Sequence, residues 1–126
     1  MKLIGWIAAG GAVGAVARYV VMVGVARLWG SAFPWGTLTV NVVGSFILGA
    51  LVEILALVWS PGEGVRALLV VGMLGAFTTF STFSLDVVTL YERGALAAAA
   101  AYIIASVVLS VAALFAGLWV FRTALS

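Results

Sequence analysis

Thr37, Asn41 and Ser45 stand four residues apart in a stretch that is otherwise apolar. That interval stacks side chains on one face of a helix. Tyr102, Ser106 and Ser110 repeat it further along the chain. Between the two stripes, "GAFTTFSTFS" (75–84) sets Phe77, Phe80 and Phe83 three residues apart among five hydroxyls: Thr78, Thr79, Ser81, Thr82 and Ser84. None of these residues is charged. Hydroxyls, an amide and ring edges are weak partners for a small ion; they replace its water without trapping it. Each also has a plainer role open to it. Ser and Thr in apolar helices commonly bond back to the i−4 carbonyl, an amide can hold two helices together, and a phenylalanine stripe can simply pack. Asn41 is the most informative, because a buried amide has two donors and an acceptor to satisfy.

The elements that must position these groups follow from composition. Of 126 residues, 66% are hydrophobic and 8% charged, with a mean hydropathy of +1.33. A soluble domain is about half apolar and a quarter charged, so the chain reads as an integral membrane protein. It has no cysteine, and hence no disulfide or thiolate site, and no histidine, the usual proton shuttle near neutral pH. The net charge of +2 comes from scattered residues. There is no basic tract, so nucleic-acid binding has no footprint. Without histidine, cysteine or carboxylates paired in one span, an enzyme has no catalytic constellation.

A bilayer core needs about 20 apolar residues per helix. Breakers at "GSAFPWG" (30–36), "SPGEG" (60–64) and "ERG" (92–94) divide the chain into four such helices, over about 3–29, 37–59, 65–91 and 95–121, leaving Arg122 to Ser126 as a tail. The loops are short, so consecutive helices are antiparallel neighbours within a single transmembrane domain spanning 1–126. The apolar run from Leu3 continues too far for a signal-peptide core, and the N-terminus is read as mature. Gly10 and Gly14 form a GxxxG pair, and Ser45 and Gly49 a second small pair, both suited to close helix contact.

Lysines and arginines in the loops set orientation. One side carries Lys2, Arg66 and Arg122, the other Arg27 and Arg93, with Arg18 inside a span. Three against two scarcely chooses. Either Lys2 tips a weak preference, or copies insert both ways and pair head to tail.

Gly72 and Gly75 weaken the third helix just ahead of Thr78 and Thr79, which predicts a break near 75–79. Broken backbone at membrane depth is tolerated only when buried in protein or facing a watery cavity. A half-helix restarting near Thr79 has hydroxyls for N-capping, and its positive dipole end points toward the membrane centre. That favours an anion, as does the lack of a mid-membrane carboxylate, Glu53 and Asp86 lying in the last thirds of their helices.

"GGAVGAVARY" (10–19), "GTLTVNVVGSFILG" (36–49) and "GAFTTFSTFS" (75–84) resemble the three signature segments of the bacterial fluoride channels, the Fluc or CrcB family. Order, spacing and four-helix length agree over essentially the whole chain. The resemblance implies a passive fluoride-selective channel that lets fluoride leave the cytoplasm across the inner cell membrane, built as an antiparallel, dual-topology homodimer with two pores. It implies that Asn41 donates to the ion, that the ring edges of Phe80 and Phe83 meet it, that Tyr102, Ser106 and Ser110 form a polar track, and that Ser81 and Thr82 lie near the pore entrance. It also implies a central structural sodium ion held by backbone carbonyls, by position those of Gly75 and Thr78. Arg18 matches the arginine of the first signature and is assigned a structural role. The chain departs from the pattern at Asp86, where the family usually has glutamate, and at Ala76, often a second glycine.

Two other readings stay open. A small four-helix proton-coupled multidrug exporter shares the size and weak charge bias, but uses a glutamate in its first helix, where this chain has Arg18 and no acid. A non-transporting assembly subunit would use the polar stripes only to bind a partner.

Overall fold

The computed structural model describes residues 2–126 and is all-helical there. Helices α1 (Lys2–Trp29) and α2 (Trp35–Leu57) are joined through Gly30, whose φ of 79° is a left-handed value open to glycine. The third span, Glu63–Glu92, is composite. It begins as α3 (Glu63–Arg66), continues as a π-helical stretch over Ala67–Leu74, and returns to α-helix in α4 (Gly75–Phe77) and α5 (Phe80–Glu92). Between α4 and α5, Thr78 and Thr79 have extended backbone, at φ −88°, ψ 157° and φ −153°, ψ 121°. The chain ends in α6 (Leu96–Leu125).

The four spans of 28, 23, 30 and 30 residues are each long and apolar enough to cross a bilayer. This is a multi-pass membrane protein. Most boundaries shift by one to four residues from the sequence expectation. Helix α2 starts at Trp35, directly after Pro34, and ends at Leu57. Helix α6 runs past Phe121 to Leu125, so Arg122 sits on the helix and not in a tail. No glycine or proline follows Gly117 to stop it, and Arg122 is held by Glu53 of α2 through Nε at 3.1 Å and Nη2 at 2.6 Å. The pair is lopsided: Glu53 is buried, whereas Arg122 keeps much of its surface.

The turn into α6 follows from one glycine. Gly94 takes φ 78°; its N–H donates to the Tyr91 carbonyl, and the Ala95 N–H donates to that of Leu90. This is a Schellman cap, which satisfies end carbonyls that would otherwise be stranded. Leu90 is buried beneath it, with Ala95 packed nearby.

Helix α2 packs along α6, and α1 packs along the first half of the third span. Both contacts rest on missing side chains. A Cβ on Gly10 or Gly14 would overlap the carbonyls of Leu68 or Met73, and one on Gly72 would overlap α1. A Cβ on Gly49 would strike the Leu114 carbonyl, and one on Gly117 that of Phe46. The GxxxG pair is therefore used within the chain. Trp29 and Trp35 stack edge to face at the 30–34 end, while Trp6, Trp59 and Trp119 lie toward the other. All five are partly exposed, as tryptophans at the two membrane interfaces should be.

Gly49→Val should force α2 and α6 apart and cost about 1–3 kcal/mol. Gly24→Ala, at a helical position with open space around it, should be neutral or stabilising by up to about 1 kcal/mol. Thermal unfolding of the detergent-solubilised protein measures both, and equal midpoints would contradict the packing described.

Candidate functional site

The Thr78–Thr79 interruption leaves peptide groups without helical partners, and Asn41 of α2 receives them. Its Oδ1 accepts from the Thr79 N–H at 2.7 Å, and its Nδ2 donates to the Thr79 carbonyl at 3.0 Å. The amide thus acts as a second peptide strand beside Thr79. With one N–H donor and one C=O acceptor opposite it, the orientation of the amide is unambiguous. One Nδ2–H remains for another acceptor.

Thr79 is also the N-cap of α5. Its Oγ1 accepts from the Thr82 N–H at 3.1 Å and lies 3.3 Å from the Ser81 hydroxyl. The Thr78 hydroxyl bonds back to the Leu74 carbonyl at 2.9 Å. Gly44 of α2 lies so close that a Cβ there would overlap the Thr78 methyl. The interrupted segment is therefore clamped by Asn41 at one point and by a bare glycine backbone one turn along α2.

Beside the clamp runs an open-sided groove of about 410 Å³. Asn41 and Ser45 reach it from α2, Gly75, Thr78, Thr79, Phe80 and Phe83 from the third span, and Ser106 and Ser110 from α6. The rest of its wall is aliphatic, and no charged residue lines it. The Phe80 and Phe83 rings lie 5.4 Å apart between centroids. Phe83 is buried, but Phe80 is 77% exposed on the open side. Ser106 Oγ is, among the described residues, the one buried side-chain polar atom with no partner. The Tyr102 hydroxyl, one turn earlier on α6, lies close enough to interact with it.

Not every residue of the two stripes arrives in the groove. Thr37 is almost fully buried beside α6. Tyr102 is fully buried, its ring 5.2 Å from Phe83 and 5.5 Å from Phe33, and its hydroxyl donates to Asp86 Oδ2 at 3.0 Å. The expected track of three is thus two serines in the groove and a tyrosine turned to a carboxylate behind it. Ser81 and Thr82 stand at the start of α5, outside the groove wall. Arg18 is half-buried on α1 and away from it. Sequence reasoning missed the Glu53–Arg122 pair and the part Gly44 plays. The only signal for Gly44 is its place one turn after Asn41.

Four apolar spans, three of which wall an uncharged, hydrogen-bonding groove, define a small polytopic membrane protein. The family model described as CrcB-like protein, Camphor Resistance (CrcB), matches residues 5–118. A protein of Rhodospirillum centenum named fluoride-specific ion channel FluC is 58% identical over 126 residues, covering all of both chains. A protein of the same name from Chelativorans sp. is 57% identical over 92% of this chain and 93% of its own. Another from Agrobacterium fabrum is 57% identical over 91% and 92%. The chain belongs to the CrcB-like family.

Replacing Asn41 by Ala strands the Thr79 N–H and carbonyl, at about 1–3 kcal/mol for each group left unpaired. The expected result is a marked loss of thermal stability, partly restored by Asn41→Asp, which still accepts from the N–H. An Asn41→Ala protein as stable as the parent would remove the clamp from the account.

Proposed function

We propose that this chain is a passive fluoride-selective channel of the inner cell membrane, working as an antiparallel, dual-topology homodimer with two pores. The observation that carries the reading is the groove itself: it is walled by Asn41, Ser45, Ser106, Ser110 and the Phe80 and Phe83 rings, and no charged residue among those described lines it. A fluoride ion would accept from Ser106, from the free N–H of Asn41 and from the neighbouring serines. The ring edges of Phe80 and Phe83 offer positive quadrupole density along the same path. The N-terminus of α5 adds the positive end of its dipole. None of these partners carries a fixed charge, so the ion is stripped of water without being held, as conduction requires.

The second copy has a physical motive. The groove is open along the side where Phe80 stands exposed, and a second chain would close it. The near-equal loop charges favour copies inserted both ways. In this arrangement the interruption at Thr78–Thr79 is a working break in a transmembrane helix, tolerated because it faces the pore and the partner.

The residues also fit a sodium ion at that break. In an unbroken helix the Thr79 and Thr82 N–H groups would reach the carbonyls of Gly75 and Thr78; here they go to Asn41 and to the Thr79 hydroxyl. Two carbonyl oxygens per chain are thereby freed of their helical partners, a neutral oxygen set suited to a hard cation. When bound, sodium would supply positive charge at the junction of two chains. Purification with N-methylglucamine in place of sodium should lower the thermal midpoint; an unchanged midpoint argues against the site.

A proton-coupled exporter finds no support. Its glutamate is missing from α1, Glu53 is tied to Arg122, and Asp86 is tied to Tyr102.

Liposomes holding the purified protein, with a potassium ionophore, should release fluoride rapidly to an electrode while retaining chloride. Silence from a well-folded dimer would overturn the channel. Ser106→Ala should slow efflux roughly fivefold through loss of a hydrogen bond of about 1 kcal/mol. Asn41→Asp should suppress efflux by placing a carboxylate beside the anion; normal flux in either variant would take that residue out of the path. Single cysteines introduced into this cysteine-free chain and labelled from each side report topology. Labelling from one side only would rule out dual insertion.

A further inference from the structure

Asp86 raises an electrostatic difficulty for the fluoride reading, on which this inference rests. Its carboxylate lines a small cleft of about 50 Å³ beneath the 30–34 loop. The cleft is one layer of side chains from the groove: Asp86 accepts from Tyr102, whose ring packs on Phe83, and Phe83 lines the groove. An anion entering from this end passes a negative charge. Uncompensated, that charge depletes anions at the entrance, since the field of a charged cleft controls local ion concentration.

One cation lines the same cleft. Arg93, the C-cap of α5, is exposed and contributes its guanidinium there. Among the described residues it makes no ion pair, and its one side-chain bond is a long 3.5 Å contact to the Ala32 carbonyl. Most of its five N–H donors are therefore free. Asp86 and Arg93 are seven residues apart, about 10 Å along a helix axis. Both line one cleft, so their fields overlap within a Debye length at moderate salt, but no ion-pair contact joins them. A direct bridge would lock the carboxylate and consume the donors; this spacing does neither. The hydroxyl-bearing residues Ser31 and Thr89 complete the polar wall.

We propose that Arg93 is the counter-charge that lets an anion pass Asp86, and that it forms the first stop for fluoride at the 30–34 end of the chain. Its other evident role, a tether from the end of α5 to the loop, depends neither on Asp86 nor on salt. The two roles therefore separate experimentally. Fluoride efflux from proteoliposomes would be recorded at low and at high ionic strength, the latter set with potassium gluconate.

Arg93→Gln should slow efflux about two- to fivefold at low ionic strength and much less at high, as for charges that steer association. Arg93→Lys should restore the parent rate. In an Asp86→Asn background, removing Arg93 should cost little. An Arg93→Gln protein as fast as the parent at low ionic strength overturns the inference. So does one equally slow at every ionic strength and in both backgrounds, which is the behaviour of a tether. Arg93→Cys gives a second route: a cationic methanethiosulfonate should restore efflux and an anionic one deepen the loss, and equal effects would count against the proposal. A parent protein that passes no fluoride overturns the channel reading, and this inference with it.

Discussion

A peptide group without a partner inside a bilayer is the constraint from which the rest of this structure follows. The third span gives up its helical ladder at Thr78 and Thr79, and lipid offers nothing to take over. Asn41 resolves this by presenting an acceptor and a donor to the two ends of the Thr79 residue. Thr79 can then turn its hydroxyl to the start of α5, which sets the directions of Phe80 and Phe83. The same exchange frees the Gly75 and Thr78 carbonyls from their usual partners. One side chain thus determines where a helix restarts, which rings line the groove and which oxygens are left over.

Around that point the packing divides labour. The α2–α6 and α1–third span contacts are made by backbones in near contact, through glycines that admit no Cβ. Such contacts are stiff, and in a bilayer they replace the hydrophobic drive that holds soluble helices together. The groove is open on one side. Its aliphatic wall contributes shape, and its few hydroxyls contribute polarity.

The four spans were legible in the sequence because a run of about 20 apolar residues between breakers has few other uses. So were Asn41, Ser45, Ser106 and Ser110 as members of facing stripes, since helical spacing alone places them on one side. Spacing does not say what a face meets. Thr37 and Tyr102 belong to the same stripes and turn into the protein, Tyr102 toward an Asp86 that lies on another helix. Asn41 finds its partner 38 residues away and Glu53 finds Arg122 69 residues away. Neither pairing leaves a local trace. The π-helical stretch over Ala67–Leu74 is equally silent. Val70, Val71 and Gly72 lower its helix propensity without specifying a π-helix, and the looser winding lies against the glycines of α1.

The Glu53–Arg122 pair has a consequence beyond joining two helices. On its side of the chain, the side chains of Lys2, Arg66 and Arg122 are set against Glu53 and Glu63. On the other side, with Arg18 counted toward the nearer end of α1, Arg18, Arg27 and Arg93 are set against Asp86 and Glu92. Each end then carries the same small surplus, and the chain has almost no charge dipole along the membrane normal. An anionic leaflet attracts both ends alike, and turning the molecule over changes little in its electrostatic energy. Side-chain charge by itself therefore gives the chain little reason to prefer one orientation.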